Sequence, residues 1–327
     1  MPFAKVRSKK LGDLLEVNLE YITSGALGAP CVLLVCDMGV QRVEWAETFV
    51  AHIVSCGFRV VCYDQRDVGL STHLNHYSSL KNQVSRIAAC VHKGSLKPVY
   101  APAYTLEDLA GDALRLLDEL HIDAAHVFGR GMGGAVAQHM ALLSPRRVAS
   151  LTLALTSSGL VVEDAIHADE PNLKVHVRRL HYLRRFVFNG VKHESVVERS
   201  RKRAELHAAV SDMAYVSEAT LRNILAAESR EPNPSSRKRH WAAHEAQPDR
   251  TPALSGLNMP CCVVHGTQDR FVPFVAAVQT ANAIPHCELY PLEHTAHTIL
   301  NKDNHLVAAT VVRTARRTPG VPPCGHA

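Results

Sequence analysis

A chain of 327 residues that is 46% hydrophobic and 20% charged is long enough for one large α/β domain or two smaller ones, and holds ample apolar material for a core. Its formal charge of +5 is small for this length, and the 20 histidines add to it only at mildly acidic pH. No apolar run approaches the roughly 20 residues that cross a bilayer, and the opening MPFAKVRSKK lacks the apolar stretch of a secretory signal. That opening also lacks the Arg and Ser richness of a mitochondrial presequence, so a basic strand start is the simpler reading. The nine cysteines are an odd number, and Cys31, Cys36, Cys62, Cys261 and Cys262 sit in apolar runs where a reduced thiol behaves as a small hydrophobe. A reducing, cytoplasmic compartment is expected, with no membrane association.

In chain order, short β-rich runs fall at 14–22, 31–36, 58–63, 125–129, 150–156, 260–265 and 287–292. Amphipathic stretches separate them. Trp45, Phe49, Val50, Ile53 and Val54 share one helical face, and Leu106, Leu109, Ala113, Leu117 and Leu120 share another. Thr105 followed three residues later by Asp108 resembles a capping box at the start of the second helix. This alternation predicts an α/β protein with a mainly parallel sheet covered by helices on both faces. Two segments interrupt it. Residues 72–102 are long for a connection and read as a surface insertion, whereas 158–250 is charged, helical in pattern and lies between two core strands. The second is expected to form a helical cap, leaving 1–157 and 251–327 as the core. The basic run from Arg178 to Arg203 has no interleaved aromatic pattern, so it reads as a solvated helical face and no nucleic-acid partner is expected.

The most informative stretch is AHVFGRGMGGAVAQHMALLSPRRVASLTLALTS, a strand, a glycine-rich turn, a small-residue helix and another strand. It resembles the nucleophile elbow of the α/β-hydrolase superfamily, in its esterase-like branch, where a G-x-S-x-G turn lifts a serine above the sheet. Here Gly129, Arg130, Gly131, Met132 and Gly133 fill the turn, so Gly131 stands at the nucleophile position. A dinucleotide-binding loop would need G-x-G-x-x-G, which Gly129, Gly131 and Gly134 meet only loosely; no cofactor is expected. YDQRDVGLST (63–72), VVHGTQDRFVP (263–273) and ELYPLEHTAHTI (288–299) also resemble family turns, as does DRTPALSGL (249–257) at the return from cap to core. The resemblance implies an eight-stranded α/β-hydrolase fold, with Asp269 as the triad acid and His297 as the triad base.

A second departure lies after the run at 31–36. The family places glycine where this chain has Asp37, within Cys36, Asp37, Met38 and Gly39. The backbone N–H groups of Met38 and Met132 are the expected oxyanion-hole donors, and Asp37 is expected to disrupt them by adding negative charge where negative charge would develop. Removing the nucleophile serine costs on the order of a million-fold in kcat in a serine protease. The expectation is therefore a degenerate hydrolase that binds a small apolar ligand or a protein partner. The alternative is a weak hydrolase of ester-like substrates in which His297, oriented by Asp269, activates a water in the void left by the serine. Restored hydrolysis in Gly131→Ser would show that everything except the nucleophile is intact. Cys36 as a substitute nucleophile is weaker than its reading as a core cysteine, and His294 with His297 lacks the further partners of a metal site, so no metal is expected.

Overall fold

The computed structural model describes residues 2–7, 16–74, 102–159, 194–211, 213–230, 234–299 and 302–321. Its strands are β1 (Phe3–Arg7), β2 (Glu16–Ser24), β3 (Cys31–Val35), β4 (Arg59–Tyr63), β5 (Ala125–Arg130), β6 (Val148–Ala154), β7 (Cys261–Gly266) and β8 (Glu288–Leu292). They form one eight-stranded sheet in the order β1-β2-β4-β3-β5-β6-β7-β8. The pairs β1–β2 and β2–β4 are antiparallel. From β4 through β3, β5, β6 and β7 to β8, every pair is parallel. The expected fold is present, and observed strand ends lie within about two residues of the runs read from sequence, the usual scatter of such boundaries. Within the opening segment, Phe3–Arg7 form the edge strand β1.

The helices are α1 (Glu47–Ser55), α2 (Leu106–Glu119), α3 (Met132–Leu143), α4 (Val196–Val210), α5 (Glu218–Arg230), α6 (Pro234–Glu245), α7 (Phe274–Ala283) and α8 (Asn304–Arg316). Trp45, grouped with α1 by its spacing, precedes the helix and stacks on Phe49 at 5.7 Å. The capping box of α2 forms: Thr105 Oγ1 accepts the Asp108 N–H at 3.2 Å, and Asp108 Oδ2 accepts the Thr105 N–H at 2.8 Å. No helix among the described residues is long and apolar enough to cross a membrane.

The strand period of two divides the core into two layers. Leu33, Val35, Val61, Val127, Leu151 and Val263 face α2, α3 and α7, whereas their neighbours Val32, Leu34, Val60, Phe128, Ala154 and Val264 face α1 and α8. Strands β3 and β4 are buried along their whole length, which explains why they read as unbroken apolar runs and not as alternating ones. Because β3, β5, β7 and β8 run parallel, the loops leaving their C-terminal ends meet at one edge of the sheet, where open α/β folds bind ligands.

Three described helices, α4 to α6, lie between β6 and β7 and are tied to that edge by buried ion pairs. Arg203 on α4 makes paired bonds of 2.6 and 2.7 Å to Glu44. Arg239 on α6 makes paired bonds of 2.8 and 2.7 Å to Asp67, which also accepts from Tyr104 Oη. Arg230, at the end of α5, reaches Glu20, Asp64 and Gln41. Burial, with Glu20 beside it, pushes the Asp64 carboxyl up to about 7, so Arg42 and Arg230 face two carboxylates that compete for ionisation. Most of 72–102 and the span 160–193 of the predicted cap fall outside the described residues.

Candidate functional site

Gly131 caps the N-terminus of α3 with φ 55° and ψ −125°, a left-handed conformation that is strained for a residue with a β-carbon. Its N–H is fixed to the Ala154 carbonyl at 2.9 Å, so β5 turns sharply into the helix. The helix then packs directly on β3. A β-carbon on Gly133 would lie 2.3 Å from the Cys36 carbonyl oxygen, so glycine is required for that approach. The turn therefore has the tight geometry of an elbow without any side chain at its tip.

Asp37 fills the vacated space. Residues Val35 and Gly129 are register partners in the parallel β3–β5 pair, which places Asp37 opposite Gly131, each two residues further on. A β-carbon built on Gly131 would sit 2.2 Å from Asp37 Cγ, 2.2 Å from Oδ1 and 2.3 Å from Oδ2. The carboxylate thus stands where the side chain of a serine at position 131 would stand. Oδ1 accepts the Met38 N–H at 2.6 Å and the Met132 N–H at 2.8 Å. The two donors expected to form the oxyanion hole converge on one oxygen of Asp37, while among the described residues Oδ2 accepts no hydrogen bond. The serine-sized void expected beside Gly131, and the water placed in it, are therefore replaced by a carboxylate group.

Asp269 and His297 come together across the ends of β7 and β8. His297 Nδ1 lies 2.7 Å from Asp269 Oδ2. Asp269 Oδ1 accepts the N–H groups of Phe271 at 2.8 Å and Val272 at 2.9 Å, and His265 Nε2 approaches Oδ2 at 3.2 Å. Burial would raise the Asp269 pKa, but the charge of His297 and the hydrogen bonds from His265 and His297 outweigh it and hold the carboxyl well below its ordinary range. Burial alone would likewise lower the His297 pKa, but the charge and hydrogen bond of Asp269, followed by the charge of Asp37, raise it; Arg130 opposes them. The imidazole is therefore bonded to the Asp269 carboxylate, with Phe271 packed against its ring at 4.6 Å.

The surroundings include residues not singled out from sequence. His207 on α4 is within electrostatic reach of His297 and is pushed down to about 4 by burial, then by Arg130, Arg203 and His297. His244 on α6 is pushed down to about 4 by burial, partly opposed by Asp37. The end of α4 is joined to the loop carrying His297 by the His297 N–H to Val210 carbonyl bond at 3.3 Å and the Ser211 to Thr298 hydroxyl bond at 2.7 Å. No fixed spacing links α4 and α6 to the elbow, so only their packing could identify these residues. Cys36 is fully buried and its thiol is driven well above the ordinary range by that burial, so it is a core side chain with little thiolate character. Arg66 and Asp67 of the YDQRDVGLST turn serve packing: Arg66 makes two bonds of 2.6 Å to Asp112 on α2, and Asp67 holds Arg239.

The strand order, the glycine elbow after β5, and an acid and histidine delivered after β7 and β8 define a hydrolase-like architecture. The sequence profile of the alpha/beta hydrolase fold family matches residues 36–301, and the chain belongs to that family. It is 26% identical over 294 residues to a 2-hydroxy-6-oxononadienedioate/2-hydroxy-6-oxononatrienedioate hydrolase of Cupriavidus pinatubonensis, covering 88% of this chain and 86% of the relative. It is 32% identical to rhodomycin D methylesterase DnrP of Streptomyces peucetius, but over 135 residues, which are 40% of this chain and only 38% of that relative's length. Among solved structures, a thermophilic esterase from Thermogutta terrifontis superposes with a TM-score of 0.66 at 19% identity, covering 97% of this chain and 99% of the other. At that identity the likeness speaks for the fold alone.

Proposed function

We propose that this chain is a hydrolase-fold protein that has lost serine-type acyl transfer, and that it retains the site edge for binding a small apolar molecule or a protein partner. Helices α4 to α6 then form a cap over that edge. One observation carries the reading: Asp37 occupies both the space of the nucleophile side chain and the two N–H groups of the oxyanion hole. Acyl transfer needs a nucleophile and preorganised donors free to receive the developing oxyanion. Gly131 supplies no nucleophile, and a substrate carbonyl would have to displace an anion already bonded to both donors.

The 2.7 Å dyad favours a second reading, weak hydrolysis of an ester by water activated at His297. It faces the same blocked hole, and it needs a neutral imidazole although Asp269 and Asp37 both favour the protonated one. Unaltered protein is expected to resist fluorophosphonate probes and to leave short acyl esters at their uncatalysed rate. Ester turnover abolished by His297→Ala would establish the second reading and overturn the first. Fluorophosphonate labelling of the unaltered chain would overturn both.

A further inference from the structure

The end of α5 is tied to the core at two carboxyls that the sheet forces together. Tyr21 on β2 and Tyr63 on β4 are register partners, so the next pair along these antiparallel strands sets Glu20 directly opposite Asp64, with the Asp64 N–H bonded to the Glu20 carbonyl at 2.9 Å. Both side chains are fully buried. Ser71 pins the pair from the turn after β4: its hydroxyl accepts the Glu20 N–H at 2.9 Å and donates to the Asp64 carbonyl at 2.6 Å. A β-carbon on Gly69 would collide with Asp64 Oδ2, so the Asp64 carboxyl has no room to turn away. Like charges held directly opposite one another in a sheet are destabilising, and burial strengthens the repulsion.

Two arginines answer this charge from different parts of the chain. Arg42 donates from Nη2 to Glu20 Oε1 at 2.7 Å and from its backbone N–H to Asp64 Oδ1 at 2.6 Å. Arg230, the last residue of α5, places a single nitrogen, Nη2, against both Glu20 Oε2 and Asp64 Oδ2, the latter at 3.2 Å. Its Nη1 donates to Gln41 Oε1 at 3.0 Å, and Gln41 Nε2 donates back to the Ala227 carbonyl of α5 at 2.8 Å. From this juxtaposition we infer that Glu20 and Asp64 share one proton at neutral pH, that the shared proton clasps the C-terminal end of α5 to β2 and β4, and that its loss loosens that end of the cap. The inference rests on the reading of α4 to α6 as a cap, but it concerns how the cap is attached and not the chemistry beneath it.

The proton resides on Asp64, which donates it to Glu20, while Glu20 stays an anion facing both guanidinium groups. Burial, followed by the hydrogen bond to Glu20, pushes Asp64 up to about 7. Burial would also raise Glu20, but the hydrogen bonds from Arg42 and Asp64 hold it below its ordinary value. The other titratable groups around the pair are Arg42 from the turn 42–44, Arg230 from α5, Cys62 from β4 and Cys36 after β3. Guanidinium groups stay charged throughout, and burial drives Cys62 to about 12 and Cys36 well above the ordinary thiol range, so Asp64 is the member that changes state near neutrality. Its folded value is raised, so its contribution to the clasp is fully present below the ordinary carboxylate value and is lost as pH rises through about 7. Glu20, with its value lowered, stays ionised across that window and adds no pH dependence there.

The test uses the full-length protein and its Asp64→Asn and Glu20→Gln variants, each checked for folding by circular dichroism. Hydrogen exchange of α5 is compared with that of β6, a strand without titratable side chains, after correction for the pH dependence of unprotected amides. Loss of one proton from a group at about 7 should lower the relative protection of α5 about ten-fold between pH 6 and pH 8 in the unaltered protein. Either substitution leaves a single carboxyl, so the dependence should vanish in both variants. The infrared band of an un-ionised carboxyl should be present at pH 6 in the unaltered protein and weaker by one group in each variant. Asn at position 64 should keep α5 protected at pH 8, because its amide can donate to Glu20 as the shared proton does. Protection of α5 that tracks β6 at every pH, or that rises with pH, would overturn the inference. So would a pH dependence surviving in both variants, or an infrared spectrum of the unaltered protein without the band, a measurement that needs no variant to fold. Fluorophosphonate labelling would overturn the proposed loss of acyl transfer and leave the exchange result standing, so the two readings fail separately.

Discussion

Gly131→Ser is the perturbation for which the structure makes the sharpest prediction. A serine β-carbon would lie 2.2 Å from Asp37 Cγ, far inside contact distance, so the carboxylate must swing out of the elbow. It then gives up its bonds to the N–H groups of Met38 and Met132. Hydrogen bonds to a charged group contribute about 1.5–3 kcal/mol each, so the two amount to about 3–6 kcal/mol. The serine must also adopt φ 55°, at a strain of about 1–3 kcal/mol. Against a total stability of about 5–15 kcal/mol, this is a severe loss, corresponding to a fall in Tm on the order of 10 °C. The single variant is therefore expected to be unstable and inert. Asp37→Gly/Gly131→Ser removes the clash and frees both donors. Thermal melting, fluorophosphonate labelling and p-nitrophenyl butyrate hydrolysis on the two variants provide the assay, with the double variant more stable than Gly131→Ser and labelled by the probe. A Gly131→Ser protein that melts like the parent and labels readily would show that Asp37 is not held in the elbow.

Three further outcomes are expected. The His297 imidazole should titrate by NMR above an ordinary histidine, and Asp37→Asn should lower its pKa by removing one of the charges that raise it. By linkage, its stabilisation is fully present below the unfolded value of about 6.5 and is lost as pH rises through the higher folded value, so a melt that gains stability over that window on account of His297 would contradict the assignment. Asp67→Ala takes the carboxylate partner from buried Arg239 and should cost about 3–5 kcal/mol, with residues 234–250 becoming the first site of limited proteolysis; unchanged protection there would show that the ion pair does not tether α6. Cys36 should resist iodoacetamide in the folded protein, since its thiol is fully buried and its thiolate strongly disfavoured, and rapid modification at that residue would reopen it as a nucleophile.

Much of the architecture was legible before any coordinates. Apolar runs bounded by turn residues located the strands from β2 onward, the Thr105–Asp108 pair located the start of α2, and the glycine-rich stretch located the elbow, because each signal is local and has a fixed period or spacing. Asp269 and His297 were singled out by the resemblance of VVHGTQDRFVP and ELYPLEHTAHTI to family turns, each of which follows a strand end. His207 and His244 were not, because they approach the site through helices whose placement depends on the Arg203, Arg230 and Arg239 ion pairs with distant carboxylates.

Sequence alone determined that glycine stands at position 131 of the glycine-rich turn and that a carboxylate stands at position 37 after the apolar run at 31–36. Those are statements about residue identity in recognisable local patterns. Only the tertiary structure decided that the two changes are one. Asp37 and Met132 are 95 residues apart, and no spacing along the chain brings them together. The parallel register of β3 on β5 does, by setting Asp37 opposite Gly131, where the missing side chain leaves room for a carboxylate and two backbone N–H groups hold it.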